Sequence, residues 1–122
     1  MEIVAWVLQI LLAVTFLGAG VLKLVRPKPA LVSSGMRWAE DWSDNGVKGA
    51  GALEVLGAVG LILPAVTGIA TFLTPLAAVG LALVMAAAAV VHVRQKETPV
   101  PPIVVGVLAL VVAVLRFGPV PL

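Results

Sequence analysis

The chain has 122 residues, of which 61% are hydrophobic and 11% charged, with a formal charge of +2, a mean hydropathy of +1.18 and a pI near 9.5. Soluble domains carry about 25% charged residues, so the composition excludes an ordinary soluble fold and reads as a single membrane domain over 1–122. The basic residues form no stripe with interleaved aromatics, which excludes nucleic-acid binding, and zero cysteines exclude disulfides, thiolate metal sites and an internal thiol relay.

The first apolar run predicts a helix over about 3–24, long enough for a hydrocarbon core that needs about 20 residues. It reads as a retained span and not as a cleaved signal peptide. Glu2 stands where a basic n-region belongs, the run exceeds an h-region, and Lys23-Leu24 closes it without a small-residue cleavage site. Arg26-Pro27-Lys28-Pro29 then stops the helix. A short interfacial helix is expected over about 33–43, because Trp38 and Trp42 fall at i and i+4 among Arg37, Glu40, Asp41 and Asp44. Indoles at that spacing suit the headgroup level, either as an anchor or as a lid over the bundle mouth with Trp38 contacting a ligand.

The second run predicts a helix over about 47–66 and the third over about 69–91, with Pro64 and Pro75 bracketing their connection and Thr67-Gly68 turning it. Pro75 implies a kink in the third helix or a later start. The fourth run, Ile103 to Phe117, is short unless it begins at Val100, giving 100–117 with Pro101 and Pro102 in its first turn. All four runs are apolar on every face, unlike the alternating strands of a membrane barrel. The fold class is therefore all-α: a four-transmembrane-helix bundle with a short interfacial helix in the first loop. Gly49, Gly57 and Gly60, then Ala78, Ala82 and Ala86, then Gly106, Ala109 and Ala113 supply small faces for close packing in lipid.

Loop charge sets the expected orientation. Arg26, Lys28 and Arg37 in the first connection and Arg94 and Lys96 in the third lie on one side, so the positive-inside rule places both termini outside. The expected location is a plasma membrane of prokaryotic type, multi-pass.

Glu54 is the most informative residue, because a carboxylate inside a span costs roughly 2.5 to 3.5 kcal/mol on insertion scales and normally has a partner. At 1.5 Å per residue it lies about 10 Å from the inner end of a helix starting at 47. Lys23 and His92 end neighbouring helices on that side. Two readings of Glu54 stand together: a buried ion pair with Lys23 or His92 that fixes helix register, or a polar anchor or acid/base group lining a cavity. His92 suits either a helix cap or proton exchange near neutral pH. Lys23 and Arg94 read as snorkelling anchors, and Arg116, on the opposite side, as an anchor too. One His and one embedded Glu fall short of a metal ligand set, so no metal is expected.

Phe16-Leu-Gly-Ala-Gly-Val-Leu-Lys-Leu24, then Lys48 and Gly51-Ala-Leu-Glu-Val-Leu-Gly-Ala-Val-Gly-Leu-Ile-Leu-Pro64, then His92-Val-Arg-Gln-Lys-Glu97, in this order and spacing, resemble the DoxX-like integral membrane proteins. The resemblance covers nearly the whole chain. It implies a small four-helix membrane protein, in a family named after a subunit associated with thiosulfate:quinone oxidoreductase. It also places Lys23, Glu54 and His92 at recurrent polar positions.

Three function classes follow. In the first, the bundle holds a quinone or other lipophilic small molecule as a redox-associated or accessory subunit, with Glu54, His92, Lys23 and Trp38 as ligand contacts. No cofactor is then expected within the chain beyond a bound quinone, and electrons come from a partner protein. In the second, the chain is a small membrane enzyme whose catalytic residues are Glu54 and His92, acting by acid/base chemistry on a lipophilic substrate in isomerisation, epoxide opening or cyclisation. In the third it is a membrane scaffold for a protein complex. The small-residue faces also permit a homo-oligomer.

Overall fold

Inside a bilayer no water is present to satisfy backbone amides, so each apolar run must close its hydrogen bonds within itself. The computed structural model, which describes residues 1–33, 35–36, 39 and 42–122, has α1 (Glu2–Val25), a short α2 (Lys28–Ser33), α3 (Asp44–Thr67), α4 (Leu73–Arg94) and α5 (Val100–Phe117). The four long helices are each long and apolar enough to cross a membrane. They form the all-α bundle: α1 packs on α3, α3 on α4, α4 on α5, and α5 returns to α1. Leu12, Phe16, Ala58, Leu61, Leu81 and Val112 fill its core. Leu11, Leu56, Leu83, Leu110 and Val114 are exposed outward, as helices surrounded by lipid allow.

Several boundaries differ from expectation. The interfacial helix expected over 33–43 falls in part outside the described residues, and the first connection holds a further short helix, α2 at Lys28–Ser33. The reason is Pro29, which fits a first helical turn as readily as it ends the preceding helix. Leu31 of α2 is buried against Ala39 and Val47. Trp38, with Ser34, Arg37, Glu40 and Asp41, lies outside the described residues. α3 begins at Asp44 because Ser43 caps it, its Oγ accepting from the Gly46 N–H at 3.0 Å. α4 starts at Leu73, four residues late. Gly68 (φ 71°) and Ala70 (φ 49°) make the turn, and Pro75 becomes the third helical residue, where no N–H is needed. Pro101 and Pro102 do sit in the first turn of α5.

Pro64 lies inside the last turns of α3, within the helix expected over 47–66. Having no N–H, it cannot serve the Gly60 carbonyl. Thr74 Oγ1 on α4 donates to that carbonyl at 2.9 Å, and Gln9 Nε2 on α1 donates to the neighbouring Leu61 carbonyl at 2.7 Å. The helix break thus becomes a point where three helices are tied.

We call the end that holds both termini and the α3–α4 turn the terminal end, and the other the loop end. Near the terminal end the bundle is closed: a Cβ on Gly57 would lie 2.5 Å from Leu81 Cδ2, and one on Gly60 2.8 Å from Ala77 Cβ. Toward the loop end two expected packing residues are not packed. Gly49 has nothing within 4 Å of where its Cβ would stand, and Ala86 is exposed. The helices separate there.

Candidate functional site

The site begins with two glycines. A Cβ on Gly20 would fall 2.7 Å from the Gly51 carbonyl oxygen, and one on Gly51 would fall 2.8 Å from the Gly20 oxygen, so α1 and α3 touch backbone to backbone. One turn on from each glycine, and so on opposite sides of the contact because the helices are antiparallel, stand Lys23 and Glu54, whose side chains lean back across it toward the N-termini of their own helices. Their contact is thereby fixed: Lys23 Nζ donates to Glu54 Oε1 in a salt bridge, with both residues buried. Glu54 therefore meets Lys23, and Lys23 is a buried partner where a snorkelling anchor was expected. With α3 starting at Asp44, Glu54 lies about 15 Å along the helix at 1.5 Å per residue, deeper than a start at 47 implied.

His92 approaches from α4. Its Nδ1–H donates to the Ala88 carbonyl at 2.7 Å, which leaves Nε2 as the ring atom 4.0 Å from Glu97 Oε2. The chain reverses there through a helix-end motif: Lys96 N–H donates to the Val93 carbonyl at 3.1 Å and Glu97 N–H to the His92 carbonyl at 2.8 Å. Lys96 takes φ 58° to allow it. The turn folds Glu97 back onto the imidazole, a pairing that the sequence reading did not anticipate although Glu97 stands five residues on.

Lys23, Glu54 and His92 line one cavity of about 630 Å³ in the loop-end half of the bundle. Its other walls are apolar, among them Phe16, Leu53, Met85, Val91 and Val105, and Trp42 of the first connection closes one side. Gly49 opens into this space. The arrangement offers an apolar chamber with an ion pair on its α1–α3 wall and an imidazole on its α4 wall, which suits an apolar molecule carrying a hydrogen-bonding group. Among the described residues no group of three His, Cys, Asp or Glu side chains converges to hold a metal.

A second polar cluster, missed in the sequence, occupies the terminal end. Arg116, expected as an anchor, has a fully buried side chain. Its Nε donates to Gln9 Oε1 at 2.6 Å, and its Nη1 donates to Glu2 Oε1 at 2.8 Å and to the Val120 carbonyl at 2.9 Å. Trp6 lies beneath, 5.5 Å from ring centroid to guanidinium carbon. Nη2 is buried without a hydrogen-bond partner among the described residues. The available signal was Gln9, an amide inside the first apolar run seven residues after Glu2 and so on the same helix face.

No curated protein and no solved structure matches the chain. The sequence model of the DoxX-like family matches residues 7–114, which takes in Lys23, Glu54 and His92 and most of each of the four long helices. The protein is a multi-pass integral membrane protein that belongs to the DoxX-like family.

Proposed function

We propose that the loop-end cavity binds a lipophilic small molecule, its apolar body against Phe16, Met85 and Val105 and its polar group between the Glu54–Lys23 pair and His92. The observation that carries this reading is the convergence of those three side chains on one otherwise apolar chamber of about 630 Å³, within the range usual for small-molecule sites. A quinone is one member of this ligand class, suggested by the family's name, and a redox-associated accessory role would follow from it, with electrons supplied by a partner. Trp38 and a homo-oligomer belong to the same proposal.

Gentle extraction followed by mass spectrometry tests the reading. A stoichiometric lipophile should co-purify with the parent chain and be lost from Glu54→Gln and His92→Leu while both variants remain folded. Retention in both variants sinks it. Turnover of the lipophile by the parent, abolished in Glu54→Gln with binding intact, would replace it with the acid/base enzyme reading. Orientation is part of the proposal as well, with both termini outside. Because the chain has no cysteine, Lys96→Cys gives a single thiol that should resist a membrane-impermeant maleimide in intact cells and react after lysis.

A further inference from the structure

Behind Lys23, on the side away from the apolar cavity, lies a separate crevice of about 370 Å³ between the end of α1, α2 and the start of α3. Arg26, Lys28 and Lys48 line it, and among the described residues Asp44 is the one facing carboxylate beyond the Lys23–Glu54 pair. Lys48 Nζ donates to the Leu24 carbonyl at 2.9 Å, which fixes that ammonium at the rim. Its remaining N–H groups stay available, because an ammonium has three. Arg26 and Lys28 form no ion pair among the described residues. Helices α1 and α3 have 24 residues each, about 36 Å at 1.5 Å per residue, longer than a hydrocarbon core of about 30 Å. The crevice at their joined ends therefore stands at the depth of lipid phosphates.

We propose that this crevice is a binding site for the phosphodiester headgroup of an anionic glycerophospholipid. Arg26, Lys28 and Lys48 supply charge-assisted donors to the phosphate oxygens. Asp44 accepts from a hydroxyl or ammonium on the head beside it, a group that a bare phosphate lacks. The acyl chains then lie along Val25 and the exposed apolar face of α1, outside the bundle. This site is independent of the cavity ligand, with Lys23 on the wall between the two.

Native mass spectrometry of the full chain in detergent, titrated with phosphatidylglycerol, phosphatidylcholine and inorganic phosphate, tests the proposal. Phosphatidylglycerol should bind at least tenfold more tightly than phosphatidylcholine. Arg26→Gln with Lys28→Gln should weaken it about 25-fold, at about fivefold for each basic residue near an anionic surface. Arg94→Gln, at an exposed cation that ends α4 beside the other basic connection, should change it less than twofold. An equal loss in Arg94→Gln would mean diffuse attraction and overturn the site. So would equal binding of the two lipids, or a double variant that keeps the preference. Displacement of phosphatidylglycerol by millimolar inorganic phosphate would assign the crevice to soluble phosphate and overturn the lipid reading.

Discussion

At the terminal end Arg116 is met by Gln9, Glu2 and the Val120 carbonyl, and α3 and α4 close on each other through Gly57 and Gly60. At the loop end Lys23 and Glu54 pair just as deeply, yet on the wall of an open chamber that His92 also faces. A buried charge cluster surrounded by packed side chains ties helices together. The same kind of cluster beside empty space leaves polar groups within reach of another molecule. One chain thus places charge in lipid twice, once to hold the bundle shut and once where the bundle is parted.

The largest expected effect breaks the loop-end pair. Lys23→Met leaves Glu54 buried without its cation and should cost about 3–5 kcal/mol of stability, whereas Lys23→Met with Glu54→Leu should restore most of it. Thermal unfolding in detergent reads both. If the double variant is as stable as the parent but loses the co-purifying lipophile, the pair is kept for binding. If it keeps the lipophile, the pair is structural, as Arg116 is.

At the terminal end, Arg116→Leu orphans the buried Gln9 oxygen, at about 1–3 kcal/mol for an unsatisfied buried acceptor. Occupancy of the distant cavity should be unchanged once the variant is folded. A stable Arg116→Leu protein that has lost its cavity ligand would remove the distinction between the two ends. Gln9→Leu should lose a similar amount, because it orphans Arg116 Nε and removes the second bond to the Leu61 carbonyl.

The glycines give a matched pair of smaller changes. Gly51→Ala puts a methyl 2.8 Å from the Gly20 oxygen and 2.9 Å from Lys23 Cβ, so the helices must part, at about 1–3 kcal/mol for overpacking. Gly49→Ala, two residues away, meets nothing within 4 Å and should not destabilise. Equal losses in the two variants would mean that the close approach at Gly20 and Gly51 does not set the position of Lys23.

The four spans and the place of Glu54 inside one of them were legible because lipid allows one solution, the uninterrupted apolar helix, and makes any carboxylate within it conspicuous. The side of the bundle holding Lys23, Glu54 and His92 followed from counting residues. Which of two cations Glu54 would meet was not legible, since it depends on the approach of α1 and α3, and Gly18, Gly20, Gly49 and Gly51 look alike in sequence. Only Gly20 and Gly51 touch. Arg116 was misread for a related reason: a cation near a helix end is equally suited to a headgroup and to a buried amide, and the amide was 107 residues away. Pro64 was read as flanking the α3–α4 connection, and how the helix could continue around a residue with no N–H was not legible. The carbonyl it frees is taken up by Thr74, a partner visible only in three dimensions.

The smallest effect concerns how His92 is held. Lys96 takes a left-handed conformation, φ 58°, so that the Glu97 N–H reaches the His92 carbonyl and the carboxylate comes within 4.0 Å of Nε2. A residue with a Cβ pays about 1–2 kcal/mol for that conformation and glycine does not, although glycine also gains freedom in the unfolded chain, which offsets about half of this. Lys96→Gly should therefore stabilise by about 0.5–1 kcal/mol, while Lys96→Ala, which removes the ammonium but keeps the Cβ, should not. If the two variants shift the melting temperature alike, the charge of Lys96 and not its backbone angle is the cause. A gain confined to Lys96→Gly would identify the turn as strained, held in that state because it places Glu97 against the imidazole at the cavity wall.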